Sequence, residues 1–166
     1  MANTTTTDRD SDRDGTILAT AILTPTLNSK VQGQVTFTLT EAGVGVSVEA
    51  TVSNLGPGTS HGFHIHAFGD TSSETGLAMA GHFNPTNANH GCPASLAVPH
   101  AFHFGDLGSV VADEGGNAVR KWVSRDLAVL DPAQLGFVLG RGVIVHEKDD
   151  DCMTQPTGAF LDVVLQ

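Results

Sequence analysis

The chain contains no tyrosine and a single tryptophan, Trp122. An aromatic-rich core is therefore excluded, and Val, Leu, Ile, Ala and eight Phe must build it. Basic residues are scarce as well. Eight Lys and Arg stand against eighteen Asp and Glu, a net charge of −10 with neutral His. That balance argues against a nucleic-acid surface. It also repels small anions, which would need a local positive focus of the kind a bound metal supplies. No apolar run reaches the length of a membrane span, so no membrane partner is expected. Residues 1–15, MANTTTTDRDSDRDG, lack the apolar middle of a signal peptide and read as a disordered polar tail ahead of one domain over 16–166. This predicts a cytoplasmic protein, or a secreted one if the chain is a trimmed mature form. Cysteine occurs only twice, at Cys92 and Cys152. With no CxxC pair there is no signature of a thiolate metal site, which leaves one disulfide or two free thiols. No segment carries a long helical pattern or an internal repeat.

Glycine and valine are plentiful, and their pattern is that of strands and tight turns. TILATAIL (16–23) is a mostly apolar run. VQGQVTFTLT (31–40) and VGVSVEATV (44–52) alternate apolar and polar residues, the period of half-buried strands, with Glu41-Ala42-Gly43 suiting a hairpin between them. Further strands are predicted at HGFHIHAF (61–68), GSVVAD (108–113) and AVRKWVSR (118–125), within LGFVLGRGVIVHE (135–147), whose apolar runs are broken by Gly140 and Gly142, and at AFLDVVLQ (159–166). Residues 70–105 have no sustained periodicity and form a long loop of the sort that usually carries function. About eight short strands with turns between them predict an all-β antiparallel sandwich or flattened barrel.

Three of the eight histidines, His61, His64 and His66, fall within six residues. Alternate residues of a strand share a face, so His64 and His66 project together while Ile65 turns to the core. An isolated HxH is more often a solvated or hydrogen-bonded pair than a metal site. This pair is followed by His82, His90, His103 with Asp106, and His146. Four imidazoles suit copper; three imidazoles and a carboxylate suit zinc. These seven residues fill two four-coordinate sites only if one histidine serves both, and spacing alone does not say which.

The segments GFHIHAFGD, AGHFNP, NHG, HFGDLG, ADEGGNA and GRGVIVHEKDD, in this order and spacing over residues 16–152, resemble the copper/zinc superoxide dismutases. The resemblance implies an eight-stranded Greek-key sandwich with a long metal-binding loop. It implies dismutation of superoxide to O2 and H2O2, with His64, His66, His82 and His146 holding copper. It places zinc on His82, His90, His103 and Asp106, so that His82 bridges the two ions. Asp150 matches the family aspartate that links a copper histidine, His64, to a zinc histidine, His90. His61 is expected to be structural. His100 is expected to belong to an insertion between His90 and His103 rather than to the zinc set. The resemblance further implies superoxide as substrate, a homodimer involving Phe68-Gly69-Asp70, and a copper chaperone as delivery partner.

Three departures stand out. The family places an arginine beside copper just before its final strand; here that stretch is Gln155-Pro156-Thr157-Gly158-Ala159-Phe160, and Phe160 lies near the vacated position. The charged loop after Asp151 is very short. The places of the family's two bonded cysteines hold Gly76 and a residue in the 162–164 region, so that bond cannot form. If Asp150 contacts His90, Cys92 and Cys152 are neighbours, and a relocated disulfide is expected between them. These features predict an active enzyme of reduced rate; the alternative is a copper/zinc-binding module, chaperone-like or a metal store, with little turnover.

Overall fold

The computed structural model describes residues 15–40, 45–92 and 102–156. Seven strands are present among them: β1 (Ile17–Leu23), β2 (Gln32–Leu39), β3 (Val46–Ser53), β4 (Ser60–His66), β5 (Asp106–Val111), β6 (Ala118–Ser124) and β7 (Gly142–Val145). The eighth predicted strand, 159–166, lies outside the described residues, as do the 41–43 hairpin link and His100. The only helical element described is the short 3-10 turn Leu77–Met79.

The strands form two antiparallel sheets, ordered β1-β2-β3-β6 and β5-β4-β7. The β3–β6 and β4–β7 neighbours are not consecutive in the chain, which is the crossover of a Greek key. The sheets stack as an open sandwich rather than closing into a barrel. Alternation in β2 and β3 sends Val35, Phe37, Val46, Val48, Ala50 and Val52 into the space between them. Phe63 and Ile65 of β4, Leu107 and Val110 of β5, and Val143 and Val145 of β7 meet them from the other sheet. Phe63 also packs edge-on against Trp122, with ring centroids 5.9 Å apart. Full burial of a side chain such as Phe63 or Ile65 contributes roughly 1.5–3 kcal/mol.

β4 is buried along both faces. It is the middle strand of its sheet, so one face meets the core while the other is covered by the long loop. Two boundaries differ from those read in the sequence. β5 begins at Asp106 rather than 108, because Asp106 stands in register with His64 of β4. The predicted 135–147 strand shortens to Gly142–Val145. Gly140 adopts a left-handed φ of 80°, and the Arg141 guanidinium folds 3.5 Å over the Phe83 ring. That turn ends the extended backbone.

Candidate metal centre

His64 and His66 occupy the outer face of β4, as strand alternation requires, and Phe63 and Ile65 occupy the inner one. Gly62 shares the histidine face. A Cβ there would come within 3.1 Å of the His64 ring and 3.6 Å of Asp150, so the absence of a side chain lets Asp150 close over His64. Residues 81–83 run beside the end of β4 through Ala67 N–H to Gly81 O (2.9 Å) and Phe83 N–H to Ile65 O (2.8 Å). They carry His82 against His66. Gly105 presses the 103–106 turn onto the same strand, where Ile65 N–H donates to its carbonyl at 2.9 Å. β7 delivers His146 from the other side, its backbone N–H donating to Gly62 O at 2.7 Å.

Two four-donor clusters result. One is His64, His66, His82 and His146; the other is His82, His90, His103 and Asp106. All seven residues are buried, and in each cluster the ligand atoms lie within 4.8 Å of one another. His82 belongs to both.

The hydrogen bonds decide which nitrogen each ring offers. His64 donates from Nε2 to Asp150 Oδ2 at 2.8 Å, leaving Nδ1 to face the first cluster. His66 donates from Nδ1 to Ala80 O at 2.7 Å, leaving Nε2. That Nε2 is 3.4 Å from Nε2 of His146. His90 donates from Nε2 to Asp150 Oδ1 at 2.8 Å, leaving Nδ1. In the second cluster, Asp106 Oδ1 meets His82 Nδ1 at 2.7 Å, His90 Nδ1 at 3.0 Å and His103 Nδ1 at 3.1 Å.

These donors fit metal ions. Buried polar atoms are almost always paired, yet His64 Nδ1, His82 Nε2, His90 Nδ1 and His146 Nδ1 have no hydrogen-bond partner among the described residues. His64 Nδ1 and His82 Nε2 point into the first cluster. His90 Nδ1 is within reach of Asp106 Oδ1 but is not aimed to donate to it. Three ring nitrogens crowd one carboxylate oxygen at separations close to the roughly 3.3 Å edge of a tetrahedron with bonds of about 2.0 Å. A central cation satisfies all four atoms, which hydrogen bonds alone do not. The protonation of His64, His66, His82, His146, Asp106 and Asp150 agrees. Burial holds His64, His66 and His146 down to about 3, with the neighbouring rings adding to it. Burial also lowers His82, against the pull of Asp106. Burial lowers His90 too, but the Asp106 and Asp150 carboxylates beside it outweigh this and raise its pKa to about 9. Burial pushes Asp106 and Asp150 upward, and their histidine partners more than reverse this, so both stay ionised. Neutral imidazoles and ionised carboxylates are the forms that bind metal; His90, protonated at neutral pH in the metal-free chain, gives up its proton when a cation binds.

Cys92 and Cys152 form a disulfide, with Cα atoms 5.0 Å apart, in the relocated position. His61 is structural: its buried Nδ1 donates to the His146 carbonyl at 2.8 Å, and its Nε2 meets Thr59 Oγ1 at 2.6 Å.

Three participants escaped the sequence reading. Ala80 sets the His66 ring through its carbonyl. Asp149 Oδ1 gathers Ser60 Oγ (2.7 Å), Ser109 Oγ (2.6 Å) and the Asp150 N–H (3.0 Å). The Gln155 side chain brackets the His90 backbone. Only Asp149 carried a signal, its place in the acidic run next to Asp150.

Known proteins resemble this chain in sequence and in fold. The family model for copper/zinc superoxide dismutase (SODC) matches residues 31–162. The chain is 42% identical over 122 residues to superoxide dismutase [Cu-Zn] A of Xenopus laevis, covering 73% of each chain. It is 37% identical over 124 residues to the extracellular superoxide dismutase [Cu-Zn] of Drosophila melanogaster. That match covers 75% of this chain and spans 64% of the Drosophila protein. Among solved structures, a double mutant of a SOD-like protein from Bacillus subtilis aligns with TM-score 0.74 at 26% identity, covering 87% of this chain and 92% of the other. The clock protein EA4 aligns with TM-score 0.71 at 32% identity, covering 90% and 92%. The chain therefore belongs to the copper/zinc superoxide dismutase family, whose metals are copper and zinc.

Proposed function

We propose that the chain is a superoxide dismutase that turns over more slowly than relatives with an arginine beside copper. The observation that carries this reading is the pair of four-donor clusters joined through His82. In it, His64, His66, His82 and His146 hold copper, and His82, His90, His103 and Asp106 hold zinc. Bound copper supplies one-electron chemistry, taking an electron from one superoxide and passing it to a second, with two protons, to give O2 and H2O2. The residues do the rest. Asp150 fixes the rings of His64 and His90 together, as carboxylates beyond a metal's ligands commonly do. Asp106 holds His82 through Nδ1, so the buried, unpartnered Nε2 is the ring atom left to take up and release a proton.

The slower rate rests on the sequence. No lysine or arginine follows Lys148, and Phe160, outside the described residues, lies near the family arginine's place. Removing one preorganised cationic donor costs about 10²–10³ in rate, and less where it only steers the substrate. The missing arginine is also what favours the second reading, a metal-holding module with little turnover. The same family reading carries a homodimer at Phe68–Asp70, where Phe68 is 59% exposed, and a copper chaperone as partner.

The test is superoxide removal per counted copper for the wild type, His146→Ala and Phe160→Arg, with zinc counted in each. Activity in the wild type, its loss in His146→Ala and a rise in Phe160→Arg support the proposal. Full metal content without turnover in the wild type supports the module instead.

A further inference from the structure

His90 lies in a loop with no strand partner among the described residues, yet its peptide is held as if in a ladder. Its backbone N–H donates to Gln155 Oε1 at 2.7 Å, and Gln155 Nε2 donates back to the His90 carbonyl at 3.0 Å. A side-chain amide thus meets both main-chain groups of one residue. Among the described residues these groups have no strand partner, and buried polar backbone atoms need one. The same Nε2 also donates to Met153 O at 3.1 Å, which fixes the amide's orientation.

Gln155 does not act from a free loop. The Cys92–Cys152 disulfide binds its segment to the residue two beyond His90. Cys152 N–H donates to Asp150 Oδ1 at 2.8 Å, the oxygen that also accepts from His90 Nε2. Gly91 N–H, next along the chain, donates to Asp106 Oδ2 at 3.0 Å. The His90 side chain is therefore oriented by Asp150 and its backbone by Gln155. Both contacts come from one six-residue stretch, Asp150–Gln155.

We propose that Gln155 is a positioning residue for His90: its amide sets the depth and angle at which His90 Nδ1 enters the second cluster, and so sets how tightly that cluster keeps zinc. The proposal rests on the reading of that cluster as the zinc site. Copper retention by the first cluster is not affected, because Gln155 touches none of its residues among the described contacts.

The test uses the full chain, disulfide oxidised and copper-loaded, as wild type, Gln155→Leu and Gln155→Glu. Zinc affinity is read by competition with a chromophoric chelator. Cobalt(II) is then placed in the zinc cluster as a spectroscopic stand-in, and its visible bands report the ligand arrangement. Altering groups that orient metal ligands typically costs 10–100-fold in affinity. Gln155→Leu, of similar size without the amide, is expected to bind zinc about 10–100-fold more weakly, with shifted cobalt bands and unchanged copper affinity. Gln155→Glu keeps the acceptor for His90 N–H and is expected to fall between Gln155→Leu and wild type. A merely structural role would lower unfolding temperature in the metal-free protein without moving the cobalt bands. Tight zinc binding in the wild type with the same affinity and bands in Gln155→Leu overturns the role of Gln155 alone. A wild type that takes up no zinc overturns the reading of the cluster, and this proposal with it.

Discussion

His82 and Asp106 are joined through one nitrogen only: Nδ1 stands 2.7 Å from Asp106 Oδ1, while Nε2 is buried without a partner among the described residues. One ring therefore faces both clusters, each side through a different atom. Replacing it removes a donor from both. His82→Ala is expected to weaken copper and zinc retention together, by at least tenfold each, and to abolish superoxide removal. Elemental analysis after dialysis against chelator measures this. Loss of one metal with full retention of the other would show that the clusters are not coupled through His82.

Asp150 joins His64 and His90 by two bonds of 2.8 Å. Asp150→Asn keeps the size but loses the charge, and one amide position offers a donor where a ring N–H needs an acceptor. One of the two rings is then expected to rotate or change tautomer. Zinc affinity should fall about 10–100-fold. A chelator competition giving wild-type affinity would mean that the rings are held by packing alone.

In the metal-free protein the histidines set opposing limits on stability. His64, His66 and His146 are held by burial at about 3, below the usual 6.5. The unfolded chain takes up protons on these rings first, so stability falls as pH drops from 6.5 towards 3. His90 behaves inversely. Its two carboxylate partners outweigh burial and raise it to about 9, so its contribution is full below 6.5 and is lost as pH rises through 9. Asp106 and Asp150, lowered by their histidines, stabilise above 3.8 and cease to do so at lower pH. Denaturant midpoints of the metal-free chain are expected to peak near pH 6.5 and to fall on both sides. A profile that rises steadily from acid to alkaline pH would contradict the His90 assignment.

The Cys92–Cys152 bond closes a loop with a sequence separation of 60. Chain entropy for a loop of that length gives about 4 kcal/mol. Cys92→Ser with Cys152→Ser is expected to lower unfolding free energy by roughly this amount, within the usual range of about 2–5 kcal/mol for a native bond. Zinc should leave faster, since the bond also anchors the stretch that carries Asp150 and Gln155. An unchanged denaturant midpoint would contradict the first expectation, and an unchanged zinc off-rate the second.

Much of this centre was legible because its parts obey short-range rules. Strand alternation places His64 and His66 on one face, and the structure keeps them there with Ile65 inside. The neighbourhood of Cys92 and Cys152 followed instead from the Asp150–His90 contact that the family resemblance implies, and the two Cα atoms are 5.0 Å apart. What stayed hidden works through atoms or pairings that leave no pattern. Ala80 acts by its carbonyl, which every residue has. Gln155 acts on a backbone 65 positions away, without a periodic or motif signal. The early start of β5 depends on cross-strand register between Asp106 and His64. The late start of β7 depends on the turn at Gly140 and on where Arg141 finds an aromatic ring.

In the proposed function, two different metals flank His82. Crystals of the copper- and zinc-loaded chain, with anomalous diffraction recorded on both sides of the copper and zinc absorption edges, test it directly. A copper peak is expected beside His82 Nε2 among His64, His66 and His146, and a zinc peak beside His82 Nδ1 among His90, His103 and Asp106. A single peak, or two peaks that do not share His82, would contradict it.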